Sequence, residues 1–253
     1  FLAGATVRAG LLRHGAPVDP RPAARIRPAG GYLRFGGVLF ADNVLWRTYT
    51  SFDLFLLARW TGASAVGYYA LGKELANMPV EKISTVVNDV SLPAYAALAR
   101  DRSEAARLLT ETLRMHAVVG FPVFWGLAAI AGVAVPVLFG ERWTPAVFAL
   151  VALSLVAPLR LLGSIETPAL TGVGRPWVLV RSKLLVAPIM LSAIAAGAWF
   201  GGIDGVAIAW LGGFPLAFAA GFTLVLRALG LRWSDVARVV RGAALAAALM
   251  ASL

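Results

Sequence analysis

The chain has 253 residues; 59% are hydrophobic, only 14% are charged, and the formal net charge is +10, with a mean hydropathy of +0.77. A soluble domain of this size still needs a polar skin, so a composition this apolar points to the bilayer as solvent. The lack of cysteine excludes disulfide and thiolate–metal chemistry. The basic charge does not suit nucleic-acid binding either, because the arginines lie between apolar runs and not in a patch with stacking aromatics.

In chain order, a short apolar segment, Phe1 to Leu12, precedes a Pro- and Arg-rich connector that includes Arg13, Pro17, Pro20, Arg21, Arg25, Arg27 and Pro28. Runs long enough to cross a bilayer as helices follow at 33–57, 65–94, 108–139, 145–171, 178–200 and 206–226. A further run begins near Gly242. Gly- and Pro-rich breakers separate them, among them Thr61-Gly62, Gly140-Glu141-Arg142, Gly172-Val173-Gly174-Arg175-Pro176 and Gly201-Gly202-Ile203-Asp204-Gly205. The expected organisation is the end of a preceding helix plus a basic cytoplasmic connector over 1–31, a six-helix transmembrane lobe over 32–227, and a cytoplasmic loop with a truncated further transmembrane helix over 228–253. The start at Phe1 without Met, and the end inside an apolar run, read as cut ends of a longer protein.

Basic residues set the expected orientation. The connector, the loop with Arg100, Arg102 and Arg107, the loop with Arg175, Arg181 and Lys183, and the loop with Arg227, Arg232, Arg238 and Arg241 alternate with loops holding only Arg59 and Arg142. The basic side is therefore expected to be cytoplasmic. The tryptophans, mostly near span ends, read as an aromatic belt.

Several spans carry polar stripes at helical spacing. The first holds Asp42, Asn43, Arg47, Thr50 and Asp53; the second holds Glu74, Asn77, Glu81, Ser84 and Asn88 around Pro79; the fourth holds Arg160, Ser164, Thr167 and Thr171, with Glu166 beside them. Ionisable groups inside a membrane cost several kcal/mol unless they face protein or water, so the stripes are expected to line a cavity or an interface. Asp42, Arg47, Asn77, Glu81 and Arg160 fall near mid-bilayer, as site groups or as structural ion pairs such as Arg47 with Asp42 or Glu81. Arg34, Arg114, Arg181 and Lys183 fall near the cytoplasmic surface, as candidates for an entry path or as headgroup anchors. The fifth and sixth spans, almost uncharged in the middle, suit lipid-facing scaffold helices. His14 and His116 are isolated, and no phosphate-cradling Gly-rich loop with its Lys is present, so no catalytic residue, metal site or cofactor is expected.

Leu33-Arg34-Phe35-Gly36, Asn43, Asp53, Leu57-Ala58-Arg59-Trp60-Thr61-Gly62 and Gly67-Tyr68-Tyr69 resemble the start of the second lobe of bacterial oligosaccharide flippases. The similarity continues through Met78-Pro79, Leu92-Pro93-Ala94-Tyr95, Arg100-Asp101, Phe121-Pro122, Leu138-Phe139-Gly140-Glu141-Arg142-Trp143 and Gly172-Val173-Gly174-Arg175-Pro176. These flippases are polysaccharide-biosynthesis, lipopolysaccharide-exporter (Wzx-like) proteins of the multidrug, oligosaccharidyl-lipid and polysaccharide (MOP) exporter superfamily.

The resemblance implies an all-α, polytopic transmembrane helix bundle, the second lobe of a two-lobed transporter. It implies alternating-access movement of undecaprenyl-pyrophosphate-type lipid-linked oligosaccharide across the bacterial inner membrane, for O-antigen, capsule or exopolysaccharide, with the first lobe as partner. On that reading Arg47 and Arg160 would bind phosphate oxygens, and Asn43, Asn77, Asn88 and Thr50 would serve sugar hydroxyls. Asp42, Glu74 and Glu81 would be candidates for a coupling proton or sodium ion. Rival readings are a drug or cation exporter or a peptidoglycan lipid-precursor flippase of the same superfamily. A membrane glycosyltransferase or polymerase would need a larger extramembrane loop than any here, and a non-transporting scaffold would not need the polar stripes.

Overall fold

The computed structural model describes residues 30–251, apart from a few side chains near the two ends, that of Arg34 among them. The connector and the segment before it lie outside the described residues. One compact unit runs from Gly36 onward, and it holds every side-chain contact and the cavity described below.

The elements are α1 (Gly30–Trp60), α2 (Ala63–Ala97), α3 (Arg102–Phe139), a single 3-10 turn (Glu141–Trp143), α4 (Ala146–Gly163), α5 (Glu166–Gly172), α6 (Trp177–Leu229) and α7 (Trp233–Ala251). Their boundaries have local causes. Gly62, at φ 82°, turns the chain between α1 and α2. Asp101 caps α3, its carboxylate accepting from the backbone N–H groups of Ser103 and Glu104 at 3.0 and 3.1 Å. Gly230, at φ 80°, ends α6, and the Leu231 N–H donates back to the Leu226 carbonyl at 2.9 Å. Two arginines from elsewhere then reach the last carbonyls of α6: Arg102 donates to Arg227 O and Arg175 to Ala228 O, each at 2.8 Å. Cations belong at that end of a helix dipole.

Among the described residues, three stretches are long and apolar enough to cross a membrane: Arg102–Phe139, Ala146–Gly172 and Trp177–Leu229. The third bends at Gly202, whose φ of 53° and ψ of −127° are not helical, into limbs 177–201 and 203–229. The limbs fold back as an antiparallel hairpin. Gly197 meets the Gly205 backbone so closely that neither has room for a Cβ, and Gly221 lies where a Cβ would sit 2.6 Å from Ser182 Oγ. Small residues let helix backbones approach where lipid supplies no hydrophobic drive. The two spans expected on either side of the Gly-rich breaker are therefore present as these limbs. α1 and α2, at 31 and 35 residues, are long enough to span, but their polar stripes hold their hydropathy below that of the other three.

Two boundaries differ from the sequence reading. The fourth span breaks at Ser164–Ile165 into α4 and α5, with Ser164 N bonding back to Arg160 O and Leu161 O. The last helix begins at Trp233, not near Gly242, so Arg238 and Arg241 are helical. The reason is amphipathy: Asp235 pairs with Arg238 three residues on, while Val236 and Ala247 are buried.

α3 packs on α4 and α7, α2 on α4 and α5, and α4 on α6. α1 is joined mainly by long side chains: Asp53 to Lys73 and Trp210, and Trp60 edge-on to Trp199 at 5.5 Å. That stand-off leaves space between α1 and its neighbours. Outward-facing Val133, Val137, Leu138, Phe200 and Leu216 give the exterior an apolar surface, as a lipid-facing helix requires.

Candidate functional site

The space beside α1 is a cavity of about 540 Å³. Of the residues singled out from sequence, Asp42, Asn43, Arg47, Thr50, Glu74, Asn77, Glu81, Asn88, Arg160 and Lys183 all line it. Four helices bring them together. α1 and α2 present their stripes, α4 contributes Arg160, and the first limb of α6 contributes Lys183. Arg114 and Arg181 are exposed and do not line the cavity, and the Arg34 side chain lies outside the described residues.

Arg160 is the best-held cation on the wall. Its Nη1 donates to Asn77 Oδ1 at 2.6 Å, and its guanidinium lies 5.3 Å from the Trp210 ring centroid. Trp210 is fixed in turn, its indole N–H donating to Asp53 Oδ2 at 3.1 Å. Asp53 is fully buried and saturated: the Tyr69 hydroxyl donates at 2.6 Å, the Lys73 ammonium at 2.7 and 2.8 Å to its two oxygens, and the Leu54 backbone N–H at 2.7 Å. Lys73 also donates to the Thr50 carbonyl. This closed network ties α1, α2 and the second limb of α6 to one carboxylate.

One side of the cavity is open and polar. Arg47, Glu74 and Glu81 are exposed, and among the described residues none of the three forms an ion pair. The expected alternative pairing of Arg47 with Asp42 or Glu81 is therefore not the one found. The pairs present are Lys73 with Asp53, and Lys183 with Glu166 at 3.2 Å. Asn88 donates to Ser164 O at 3.4 Å, across the break between α4 and α5. Asp42 is only 5% exposed, and its Oδ1 has no hydrogen-bond partner.

α6 is not merely scaffold. Lys183, Val186, Trp210, Phe214 and Phe218 all line the cavity. Phe214 and Phe218 are stacked at 6.2 Å, four residues apart, and continue to Phe222 at 4.8 Å. Trp210 is 1% exposed and so is no part of a surface belt. The sequence reading also passed over Lys73, although it lies four residues before Asn77 and eight before Glu81, on the same stripe. Spacing alone finds it; Tyr69 and Trp210, as aromatics, give no such signal.

The wall thus offers Arg47, Arg160 and Lys183 as cations, with Asp42, Glu74, Glu81 and Glu166 as carboxylates and amides and hydroxyls between them. Such a surface suits a hydrated ligand carrying both charge and hydroxyls. Among the described residues, no group of His, Cys, Asp and Glu is arranged to hold a metal ion.

Residues 1–148 match the family model described as "Polysaccharide biosynthesis protein". The teichuronic acid biosynthesis protein TuaB of Bacillus subtilis (strain 168) is 27% identical over 202 residues, 76% of this chain and 42% of the relative. The lipopolysaccharide biosynthesis protein WzxC of Escherichia coli (strain K12) is 28% identical over 179 residues, 71% of this chain and 36% of that one. The succinoglycan biosynthesis transport protein ExoT of Rhizobium meliloti (strain 1021) is 30% identical over 182 residues, covering 69% and 35%. The chain therefore spans less than half the length of each of these relatives. Among solved structures, the lipid II flippase MurJ in its inward closed conformation superposes with a TM-score of 0.69 at 14% identity, over 87% of this chain and 48% of that one. That likeness shows an all-α helix-bundle fold, and the apolar stretches of membrane-spanning length make the chain a multi-pass membrane protein.

Proposed function

The chain belongs to the polysaccharide biosynthesis protein family, and from that premise we propose that it is the second lobe of a flippase for lipid-linked oligosaccharides. The ligand would be a polyprenyl-pyrophosphate-linked repeat unit, moved across the bacterial cytoplasmic membrane by alternating access. The first lobe of the same protein would supply the facing wall. The basic loops would face the cytoplasm. On this reading the chain is a transporter and not an enzyme.

The observation that carries the reading is the convergence of Arg47, Arg160, Asn43, Asn77, Asn88 and Thr50 on one cavity in helices of membrane-spanning length. A sugar pyrophosphate is anionic and strongly hydrated, so crossing the bilayer requires cationic donors in a wet space at mid-depth. Arg160, oriented by Asn77 and Trp210, would bind phosphate oxygens through its planar fork of donors. Arg47, without an ion-pair partner among the described residues, would meet the same charge from α1. The amides and hydroxyls would exchange hydrogen bonds with sugar hydroxyls in place of water.

The test is export. Arg47→Ala and Glu81→Gln in the full-length protein should abolish delivery of repeat units to the cell surface while leaving the protein in the membrane. Normal surface polysaccharide in both variants would contradict the assignment.

A further inference from the structure

Trp46 is not part of an aromatic belt at the span ends. It sits in the middle of α1, lines the cavity and is 41% exposed. Other tryptophans are used inside the fold: Trp60 packs on Trp199, Trp143 packs on Tyr68, and Trp210 donates to Asp53. Among the described residues, Trp46 makes no ring contact, and its indole N–H has no acceptor. Turned towards hydrocarbon, that N–H would stay unpartnered at mid-depth, which is costly. In a wet cavity, the ring face and the N–H are both open to a ligand.

The level of Trp46 follows from the hydrogen bonds between α1 and α2. Tyr69 donates to Asp53, and Lys73, one turn further along α2, donates to the Thr50 carbonyl, one turn back along α1. The two helices are therefore antiparallel in that register, and one further turn brings Asn77 level with Trp46. Asn77 in turn holds the Arg160 guanidinium. Arg47 follows Trp46 in the chain, and Asn43 and Thr50 lie one turn to either side of it, all on the cavity wall. An indole face is thus set among guanidiniums, amides and a hydroxyl. A ring meant to pack on another helix would have apolar neighbours; these are polar. A pyranose has the complementary make-up, with C–H groups on its faces and hydroxyls round its rim. The C–H groups suit the electron-rich face of the indole, and the hydroxyls suit the donors and acceptors beside it.

We propose that Trp46 is the stacking platform for the sugar joined directly to the pyrophosphate of the headgroup. The inference rests on the flippase reading and adds the residue that reads the saccharide. With phosphate oxygens on Arg160 and Arg47, the first pyranose lies against the indole, whose N–H donates to a hydroxyl. Such a platform reads the C–H face common to pyranoses and not one pattern of hydroxyls. It therefore favours a sugar over a bare phosphate and tolerates different sugars, as stacking platforms do for different bases.

The experiment is equilibrium binding of two probes of equal charge to the full-length protein. One is geranyl-pyrophosphoryl glucose, and the other carries a methyl group in place of the glucose. The wild type should bind the glucose probe about tenfold more tightly, the gain expected from one stacked ring. Trp46→Ala should erase that advantage and bind the methyl probe as the wild type does, which also shows that the variant folds. Trp46→Phe should restore part of the advantage, and Arg160→Ala should weaken both probes by the same factor. Equal affinity of the wild type for the two probes, or a Trp46→Ala variant that keeps the glucose advantage, would overturn the stacking assignment alone. So would an equal loss of both probes in Trp46→Ala, which would mean that the ring packs on the facing lobe. Failure of the wild type to bind either probe would overturn the flippase reading, and the stacking assignment with it.

Discussion

Asp42 and Asp53 lie eleven residues apart on α1, about three helical turns, and both are buried. Their surroundings are opposite. Asp53 accepts from Tyr69, Lys73, Trp210 and its own neighbour's backbone, and every lone pair it needs is used. Asp42 keeps an oxygen with no donor. A saturated buried carboxylate fastens helices together, whereas an unsaturated one ties nothing to its helix through that oxygen. The same residue type on the same helix thus meets two different settings, decided by what packs against it.

Breaking the saturated site should have the largest effect. Lys73→Met strands the Asp53 carboxylate without its cation, and loss of one partner of a buried pair costs about 3–5 kcal/mol. Thermal unfolding in detergent should show a large drop in Tm, and a change of less than a degree would show that Asp53 is no fastener. Trp210→Phe keeps the ring beside Arg160 but removes one N–H from Asp53. A lost donor to a buried acceptor costs about 1–3 kcal/mol, so a smaller fall in Tm is expected, with ligand affinity reduced as Arg160 loosens. Asp42→Asn sharpens the contrast: it removes a buried, unsatisfied charge and should leave Tm unchanged or raised. A loss as large as that of Lys73→Met would make Asp42 structural after all.

The smallest effect is at the surface. Asp101, exposed at the start of α3, has its carboxyl held below the ordinary value of 3.8 by the Ser103 hydroxyl and the Glu104 and Ser103 backbone N–H groups. A lowered folded-state pKa contributes stability that is present above the unfolded value and lost as pH falls through the folded one. Asp101→Asn should therefore flatten the pH dependence of stability only in the acid range below about pH 4, where the ordinary aspartate value lies. A change in the slope of stability against pH near neutrality would contradict the assignment of Asp101 as a helix cap alone.

Much of this was legible in the residues. Spacing along α1, α2 and α4 gave the polar stripes, and membrane cost turned stripes into an expected cavity, which the fold provides with ten of the named residues on its wall. The Gly201–Gly205 breaker located the α6 bend. What spacing could not give was partnership between helices. Lys73 and Asp53 belong to different elements, and only the stand-off of α1 decides that they meet. The aromatic face of α6 was read as scaffold, because Trp210, Phe214 and Phe218 look like ordinary lipid-facing residues until their direction is known. Arg238 and Arg241 read as a loop because charge outweighed the amphipathic period of α7.

The claim on which the rest depends is that Arg160 meets an anionic, pyrophosphate-linked headgroup in this cavity. The direct measurement is leaflet-to-leaflet movement of a fluorescent polyprenyl-pyrophosphoryl saccharide in liposomes carrying the full-length protein, wild type against Arg160→Ala and Arg160→Lys. Loss of hydrogen bonds to a charged group costs about 1.5–3 kcal/mol, so Arg160→Ala should slow movement by about tenfold to a hundredfold. Arg160→Lys should recover only part of the rate, since an ammonium lacks the planar fork. Movement at the wild-type rate in Arg160→Ala, with the protein folded and inserted, would contradict the account.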